Sequence, residues 1–155
     1  MKTAILIPAR YGSTRFEGKP LAMLDGVPMI KRVYDACTAS KIPTYVLTDD
    51  MRIFDLFGPR QCWIDQEKEY ANGTERCAGA ITDSNFIKYL GHYDNIINVQ
   101  GDMPDVDVAM IQQVQWHLQH YSVTTVFTEM PKEKQEDPNT VKMIKAGDQA
   151  LWFGR

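Results

Sequence analysis

The chain has 155 residues, of which 44% are hydrophobic and 24% are charged, a composition that is typical of soluble globular proteins. This length suits one domain with a substantial core, and we expect residues 1–155 to form a single domain. The net charge of −3 and the pI near 5.6 argue against general binding to nucleic acids or membrane surfaces. No apolar run approaches the ~20 residues that a membrane span needs.

Cysteine usage and the N-terminal residues indicate a compartment. Cys37, Cys62 and Cys77 are far apart and form neither a disulfide framework nor a CxxC motif, which suits a reducing environment. The apolar run at residues 4–7 is shorter than the roughly 7–15 residues that a signal peptide needs, and Arg10 interrupts it. We therefore expect a cytoplasmic protein.

The first half of the chain alternates short apolar strands with helices. Residues 4–7 are apolar without polar alternation, as in a strand that is covered on both faces. After a polar loop, apolar residues at helical spacing predict a helix over residues 29–40. A second strand over residues 44–48 and a short helix over residues 52–57 follow, and a Gly-Pro pair ends that helix.

The second half continues this alternation. Further strands are predicted over residues 61–64, 95–99 and 123–127, and a hairpin over residues 141–144 and 150–153. Helices are predicted from Gly73 onward and after Asp105. Because strands and helices alternate through most of the chain, we expect an α/β fold with a mainly parallel sheet and helices on both faces.

A cationic loop follows the first strand. The stretch IPARYGSTRFEGKP at residues 7–20 carries Arg10, Arg15 and Lys19 together with two glycines, in a chain of negative net charge. It has neither the GxxxxGK[ST] pattern of a P-loop nor the GxGxxG of a dinucleotide site. Arg, Lys and glycine N–H groups suit phosphate oxygens, and the alternative is a solvated loop that happens to be cationic.

Two acidic segments are expected near this loop. Asp49 and Asp50 follow the second predicted strand, and Asp102 follows the fourth. Because ligands of a parallel sheet bind beyond the carboxyl ends of the strands, these segments and the cationic loop should share one rim. A carboxylate there suits Mg²⁺ shared with phosphate oxygens. The alternatives are that Asp49 and Asp50 cap the next helix and that Asp102 begins a turn.

The motifs are also similar to those of one enzyme family. PAR-x-x-STR-x-x-GKP, LTDD, NGTER, NVQGDMP, DPNTVKMI and ALWFGR occur in that order over essentially all 155 residues. On these motifs the chain resembles the 3-deoxy-manno-octulosonate cytidylyltransferases, or CMP-Kdo synthetases. The resemblance implies a three-layer, Rossmann-like fold of the nucleotide-diphospho-sugar transferase type. It also implies transfer of CMP from CTP to a 3-deoxy-2-keto sugar acid such as Kdo, with release of pyrophosphate, for lipopolysaccharide or surface-sugar synthesis.

The resemblance further implies roles for single residues. Arg10 and Lys19 match positions that hold the triphosphate, and Asp102 matches the carboxylate that binds Mg²⁺, so these three are the expected catalytic residues. The other expected binding residues are Pro8, Ala9, Ser13 and Arg15 in the loop, Gly73, Thr74 and Arg76 around the cytidine, and Gln100 and Arg155 near the sugar. For Arg76 the alternative is an ordinary pair with a residue one turn away on its helix. The implied ligands are CTP and a Kdo-like sugar acid, and a homodimer is one candidate assembly.

Several positions depart from the family pattern. Glu17 stands where proline is usual and places an acid in the phosphate loop, and Asn72 stands where serine is common. Met103 replaces an acid, and Gly154 replaces serine. Typical members continue well past residue 155, and that part supplies a second metal-binding aspartate and much of the sugar pocket. The alternative function is therefore a CTP-binding module without transfer activity.

Overall fold

The computed structural model describes residues 1–12, 16–90 and 93–155. Their contacts group into two compact units, Met1–Thr124 and Thr125–Arg155. The expectation of a single domain stays a prediction. Within the described ranges, no helix combines the length and the apolar character that crossing a membrane requires.

The first unit is built on a parallel sheet. Its strands, in chain order, are β1 (Thr3–Ala9), β2 (Met23–Leu24), β3 (Val27–Pro28), β4 (Thr44–Thr48), β5 (Cys62–Ile64) and β6 (Asn95–Asn98). Its helices are α1 (Met29–Thr38), α2 (Met51–Phe54), α3 (Gly73–Thr82), α4 (Ser84–Leu90) and α5 (Val108–His117). Strands β5, β4, β1 and β6 lie side by side in that order and all pairs are parallel, whereas β2 and β3 form a separate short hairpin.

Strand β1 forms the centre of the core because it is buried on both faces. Its side chains alternate between the two faces of the sheet, as in any strand. Ile5 and Ile7 pack with apolar residues of α1, α2 and α5, whereas Ala4 and Leu6 pack with those of α3 and α4. The α/β fold with a parallel sheet and helices on both faces is therefore confirmed.

The register of the sheet brings the ends of three strands to one edge. Ala9 of β1 pairs with Thr48 of β4, and Leu6 pairs with Asn98 of β6. The loop after β1, the acidic pair after β4 and the segment after β6 consequently leave the sheet on the same side.

One predicted strand is wrong, and one short hairpin and one α-helix were not predicted. Residues 123–127 form no strand, because their backbone does not pair with a neighbouring strand, and Val123 is 88% exposed. The hairpin of β2 and β3 was not predicted, and neither was helix α4, where the Asp83 carboxylate accepts hydrogen bonds from the N–H groups of Asn85 and Phe86. The other predicted strands and helices are present, with ends that differ by a few residues.

The second unit contains the predicted hairpin, formed by β7 (Lys142–Ala146) and β8 (Gln149–Gly154) in antiparallel pairing. The register shifts between Ile144 and Lys145. Within this unit the Arg155 guanidinium donates a hydrogen bond to the carbonyl oxygen of Asn139 over 3.4 Å.

Candidate functional site

A cavity of about 520 Å³ lies in the first unit at the carboxyl edge of the sheet, the usual ligand site of such folds. Four segments line it: Pro8, Ala9, Arg10 and Phe16 around the end of β1; Lys19, Pro20 and Met29; Tyr70, Ala71, Asn72, Gly73 and Arg76 around the start of α3; and Gln100, Gly101 and Asp102 after β6.

Gly18 and Tyr11 organise the described part of the cationic loop. The Gly18 N–H donates to the Tyr11 carbonyl over 3.0 Å, and Gly18 has a φ of 69°, in the left-handed region that favours glycine. A Cβ at Gly18 would lie 3.0 Å from the Tyr11 ring. The Arg52 guanidinium stacks on that ring, 3.5 Å from its centroid. Because Lys19 follows immediately in a short 3-10 helix, this turn sets the direction of its side chain.

Opposite charges meet at the cavity. The Lys19 ammonium lies 2.6 Å from a carboxylate oxygen of Asp102. The two side chains are 40% and 52% exposed, so water screens their attraction. Arg10, also exposed, lines the same cavity. The structure thus brings together Arg10, Lys19 and Asp102, the three residues that the sequence analysis predicted to be catalytic. Their catalytic roles stay predictions.

Arg76 is the buried cation of the site, with a relative exposure of 4%. Its Nη2 donates to Oδ2 of Asp49 over 2.9 Å, so its acidic partner is not a residue one turn away on α3. The Tyr70 ring lies 5.1 Å from the guanidinium carbon. The other terminal nitrogen, Nη1, is buried without a hydrogen-bond partner among the residues that the structure describes. Because buried donors normally have partners, a ligand or water is expected to meet this one.

Tyr70 is fixed in the cavity wall by Asp65. Its hydroxyl donates to the Asp65 carboxylate over 2.7 Å. Burial, followed by this hydrogen bond, raises the pKa of Tyr70 to about 12. Burial alone would raise the pKa of Asp65, but the bonds from Tyr70 and from two backbone N–H groups hold it below its ordinary value. At neutral pH Tyr70 is therefore protonated and Asp65 is ionised.

The first turn of α3 forms another wall. Asn72 caps the helix, because its side-chain oxygen accepts the Glu75 N–H over 2.9 Å. A Cβ at Gly73 would lie 2.8 Å from both the Gln100 side-chain oxygen and the Pro8 ring, so only glycine lets the helix start this close to the end of β1. The first-turn N–H groups carry partial positive charge, which suits an anionic ligand.

The remaining predicted residues divide into three groups. Pro8, Ala9, Gly73, Arg76 and Gln100 line the cavity with the three charged residues above. Thr74 is not a lining residue, and its hydroxyl pairs with the Asn98 amide at 3.4 Å. Ser13 and Arg15 lie outside the described residues, and Arg155 belongs to the second unit.

Sequence reasoning missed several cavity residues, namely Phe16, Pro20, Met29, Tyr70, Ala71, Asn72 and Gly101. Asn72 followed three residues later by Glu75 is a helix-start signature that could have placed the Asn72 side chain at the start of α3. The sequence reasoning also did not distinguish the roles of Asp49 and Asp50, the two acids after β4. In the structure Asp50 caps α2 through the Arg52 N–H, as the alternative interpretation had it, whereas Asp49 binds Arg76.

The residues that line the cavity can hold a magnesium ion only through one carboxylate, that of Asp102. Asp102 is the single carboxylate among the lining residues, and within residues 1–12, 16–90 and 93–155 no three His, Cys, Asp or Glu side chains cluster as a metal site would. One carboxylate is enough for Mg²⁺, which keeps several waters and shares the oxygens of substrate phosphates.

The sheet order, the helices on both faces and the cavity beyond the strand ends define a protein of the nucleotide-diphospho-sugar transferase fold. A family model described as cytidylyltransferase matches residues 4–155. The chain therefore belongs to the cytidylyltransferase family.

Particular relatives agree with this assignment. The chain is 40% identical to the 8-amino-3,8-dideoxy-manno-octulosonate cytidylyltransferase of Shewanella woodyi and 39% identical to that of Shewanella loihica, in matches that cover 100% of this chain. It spans about 65% of the length of these relatives.

Solved structures point the same way. The structure of CMP:2-keto-3-deoxy-manno-octonic acid synthetase complexed with CTP matches with a TM-score of 0.80 and 29% identity, over 99% of this chain and 64% of that one. A cytidylyltransferase from Leptospira borgpetersenii matches with a TM-score of 0.57 and 24% identity, over 77% of this chain and 50% of that one, and shows the fold alone. The resemblance to the CMP-Kdo synthetases is confirmed.

Proposed function

We propose that the chain transfers CMP from CTP to a 3-deoxy-2-keto sugar acid of the Kdo class and releases pyrophosphate. The observation that carries the proposal is the meeting of Lys19, Asp102 and the buried Arg76 at one cavity, in a chain of the cytidylyltransferase family. A triphosphate supplies the anionic oxygens that suit the Lys19 ammonium.

In the proposed reaction the anomeric hydroxyl of the sugar acid attacks the α-phosphorus of CTP. A bond forms between that oxygen and phosphorus, the bond from the α-phosphorus to the pyrophosphate oxygen breaks, and the hydroxyl proton passes to water. Such chemistry depends mainly on positioning and on stabilising charge. Arg10 and Lys19 would neutralise the triphosphate and the leaving pyrophosphate, while Gly73 and Arg76 would contact the cytidine and Gln100 the sugar acid.

Asp102 would hold a magnesium ion through its carboxylate. When bound, the ion would neutralise charge on the phosphate oxygens. Lys19 would then turn from Asp102 toward the triphosphate, a change that an exposed pair permits because its attraction is worth only about 0.2–1 kcal/mol.

Two acceptors follow from the names of similar proteins. The Shewanella relatives are named for the 8-amino-3,8-dideoxy sugar acid, and the solved neighbour for the 2-keto-3-deoxy acid itself. We propose this pair as the substrate class. A place in lipopolysaccharide or surface-sugar synthesis, a cytoplasmic location and a homodimer belong to the same proposal, and the scattered free cysteines support the location.

The test is pyrophosphate release from CTP and Mg²⁺ with Kdo or its 8-amino analogue, alongside calorimetric titration with CTP. Release that requires CTP and one of the two acids is expected, with ATP in place of CTP as the control. Because the chain spans about 65% of its relatives, the second candidate is a CTP-binding module, and CTP binding without release would favour it. A chain that does not bind CTP would refute both.

A further inference from the structure

Asp49 joins two parts of the cavity wall that are distant in sequence. Its Oδ1 accepts the backbone N–H of Tyr11 over 3.0 Å, and its Oδ2 accepts Nη2 of Arg76 over 2.9 Å. Tyr11 belongs to the cationic loop after β1, and Arg76 belongs to α3. One carboxylate therefore ties the loop to the helix, with a separate oxygen for each.

We infer that Asp49 is a positioning residue for nucleotide binding, one that acts through Arg76 and does not touch the ligand. The inference rests on the proposed function, since it takes CTP as the ligand. Asp49 itself is not among the residues that line the cavity, whereas Arg76 is.

The hydrogen bonding of Arg76 supports this assignment. Asp49 engages Nη2, and the Tyr70 ring packs near the guanidinium, while Nη1 is buried with no partner among the described residues. The ion pair thus orients the guanidinium and leaves the Nη1 group, which carries two N–H donors, for a ligand. Without the Asp49 carboxylate, Arg76 would be a buried charge with no ion-pair partner among the described residues, which is unfavourable, and the side chain would move toward water.

Strand alternation explains why Asp49 and not Asp50 has this position. Val46 of β4 packs on the α1 side of the sheet and Leu47 on the α3 side. Continuing the alternation places Asp49 toward α3 and Asp50 on the opposite side, where it caps α2. The two adjacent acids consequently serve different helices.

The test uses Asp49→Asn, because asparagine keeps an oxygen for the Tyr11 N–H but presents an amide N–H group, and no charge, to Arg76. Titration calorimetry at fixed Mg²⁺ should show about tenfold weaker CTP binding, the size expected for a hydrogen bond to a charged group. In an Arg76→Gln background the same change should weaken binding by less than about twofold, because its effect passes through Arg76. Equal losses in the two backgrounds would overturn the inference.

Asp83→Asn is the matched control. The Asp83 carboxylate also accepts from a side-chain N–H, that of Trp63, and from backbone N–H groups, but Asp83 does not line the cavity. This variant should lower the melting temperature and leave CTP affinity unchanged. If it weakens CTP binding as much as Asp49→Asn does, the effect of Asp49 is general destabilisation and the inference fails.

Two further outcomes keep the test decisive. If Asp49→Asn does not fold, Asp49→Glu retains the charge but moves it by one methylene, and its loss of CTP affinity must likewise disappear in the Arg76→Gln background. If the wild type binds CTP and Asp49→Asn binds it equally well, only the inference about Asp49 fails. A wild type that does not bind CTP overturns this inference together with the proposed function.

Discussion

Asp102→Asn separates the function of the site from its stability. The Lys19 ammonium and the Asp102 carboxylate are 2.6 Å apart, but their side chains are 40% and 52% exposed. Exposed pairs contribute about 0.2–1 kcal/mol, so the free energy of unfolding should fall by at most about 1 kcal/mol. For a chain of this length that corresponds to a drop of roughly 2–4 °C in Tm. A buried pair broken in this way would cost about 3–5 kcal/mol.

The same substitution should strongly impair function. Loss of the carboxylate that holds Mg²⁺ should reduce kcat/KM by about 100-fold or more, measured as pyrophosphate release, because charge stabilisation of this kind is worth several kcal/mol. The gain in CTP affinity on adding Mg²⁺ should also disappear in calorimetry. Asp105→Asn is the control, since Asp105 is exposed and does not line the cavity. Wild-type turnover and an unchanged magnesium effect in Asp102→Asn would refute the role of Asp102.

Three other substitutions test the site and the fold. Gly73→Ala places a Cβ 2.8 Å from the Gln100 oxygen, so it should weaken CTP binding about tenfold and destabilise the fold by about 1–3 kcal/mol; calorimetry showing neither would contradict the close approach. Glu17→Gln should strengthen CTP binding about twofold at low salt and less at high salt, and a salt-independent effect would argue against simple repulsion. The Trp63 N–H lowers the pKa of Asp83 below its ordinary 3.8, so the stability that Asp83 contributes is present above that pH and is lost as the pH falls through the lowered value. Urea unfolding from about pH 5 to about pH 2 should therefore show a shallower decline for Asp83→Asn than for the wild type, and parallel declines would contradict this account.

Local sequence patterns predicted most of the helices and strands. The wrong strand arose where the structure depends on pairing with another strand. Residues 4–7 have no polar alternation, and β1 is buried on both faces as that pattern indicates. Residues 123–127 have the apolar, β-branched composition of a strand, but a strand also needs a partner, which composition does not supply. The hairpin of β2 and β3 had a readable signal, since Asp25-Gly26 is a preferred two-residue turn and both residues have positive φ.

The site was predictable to the extent that it follows from topology. In a parallel sheet the segments after β1 and β6 must leave at one edge, and this places the loop that carries Lys19 near Asp102. The pairing of Asp49 with Arg76 depends on a finer variable, the side of the sheet on which each residue after β4 lies. Since adjacent positions alternate, a shift of one residue in the register of β4 would direct Asp50 toward α3 instead, and the sequence LTDD contains an acid at either position. The identity of the positioning carboxylate is therefore set by the Ala9–Thr48 register and not by the motif, which is why it could be assigned only from the structure.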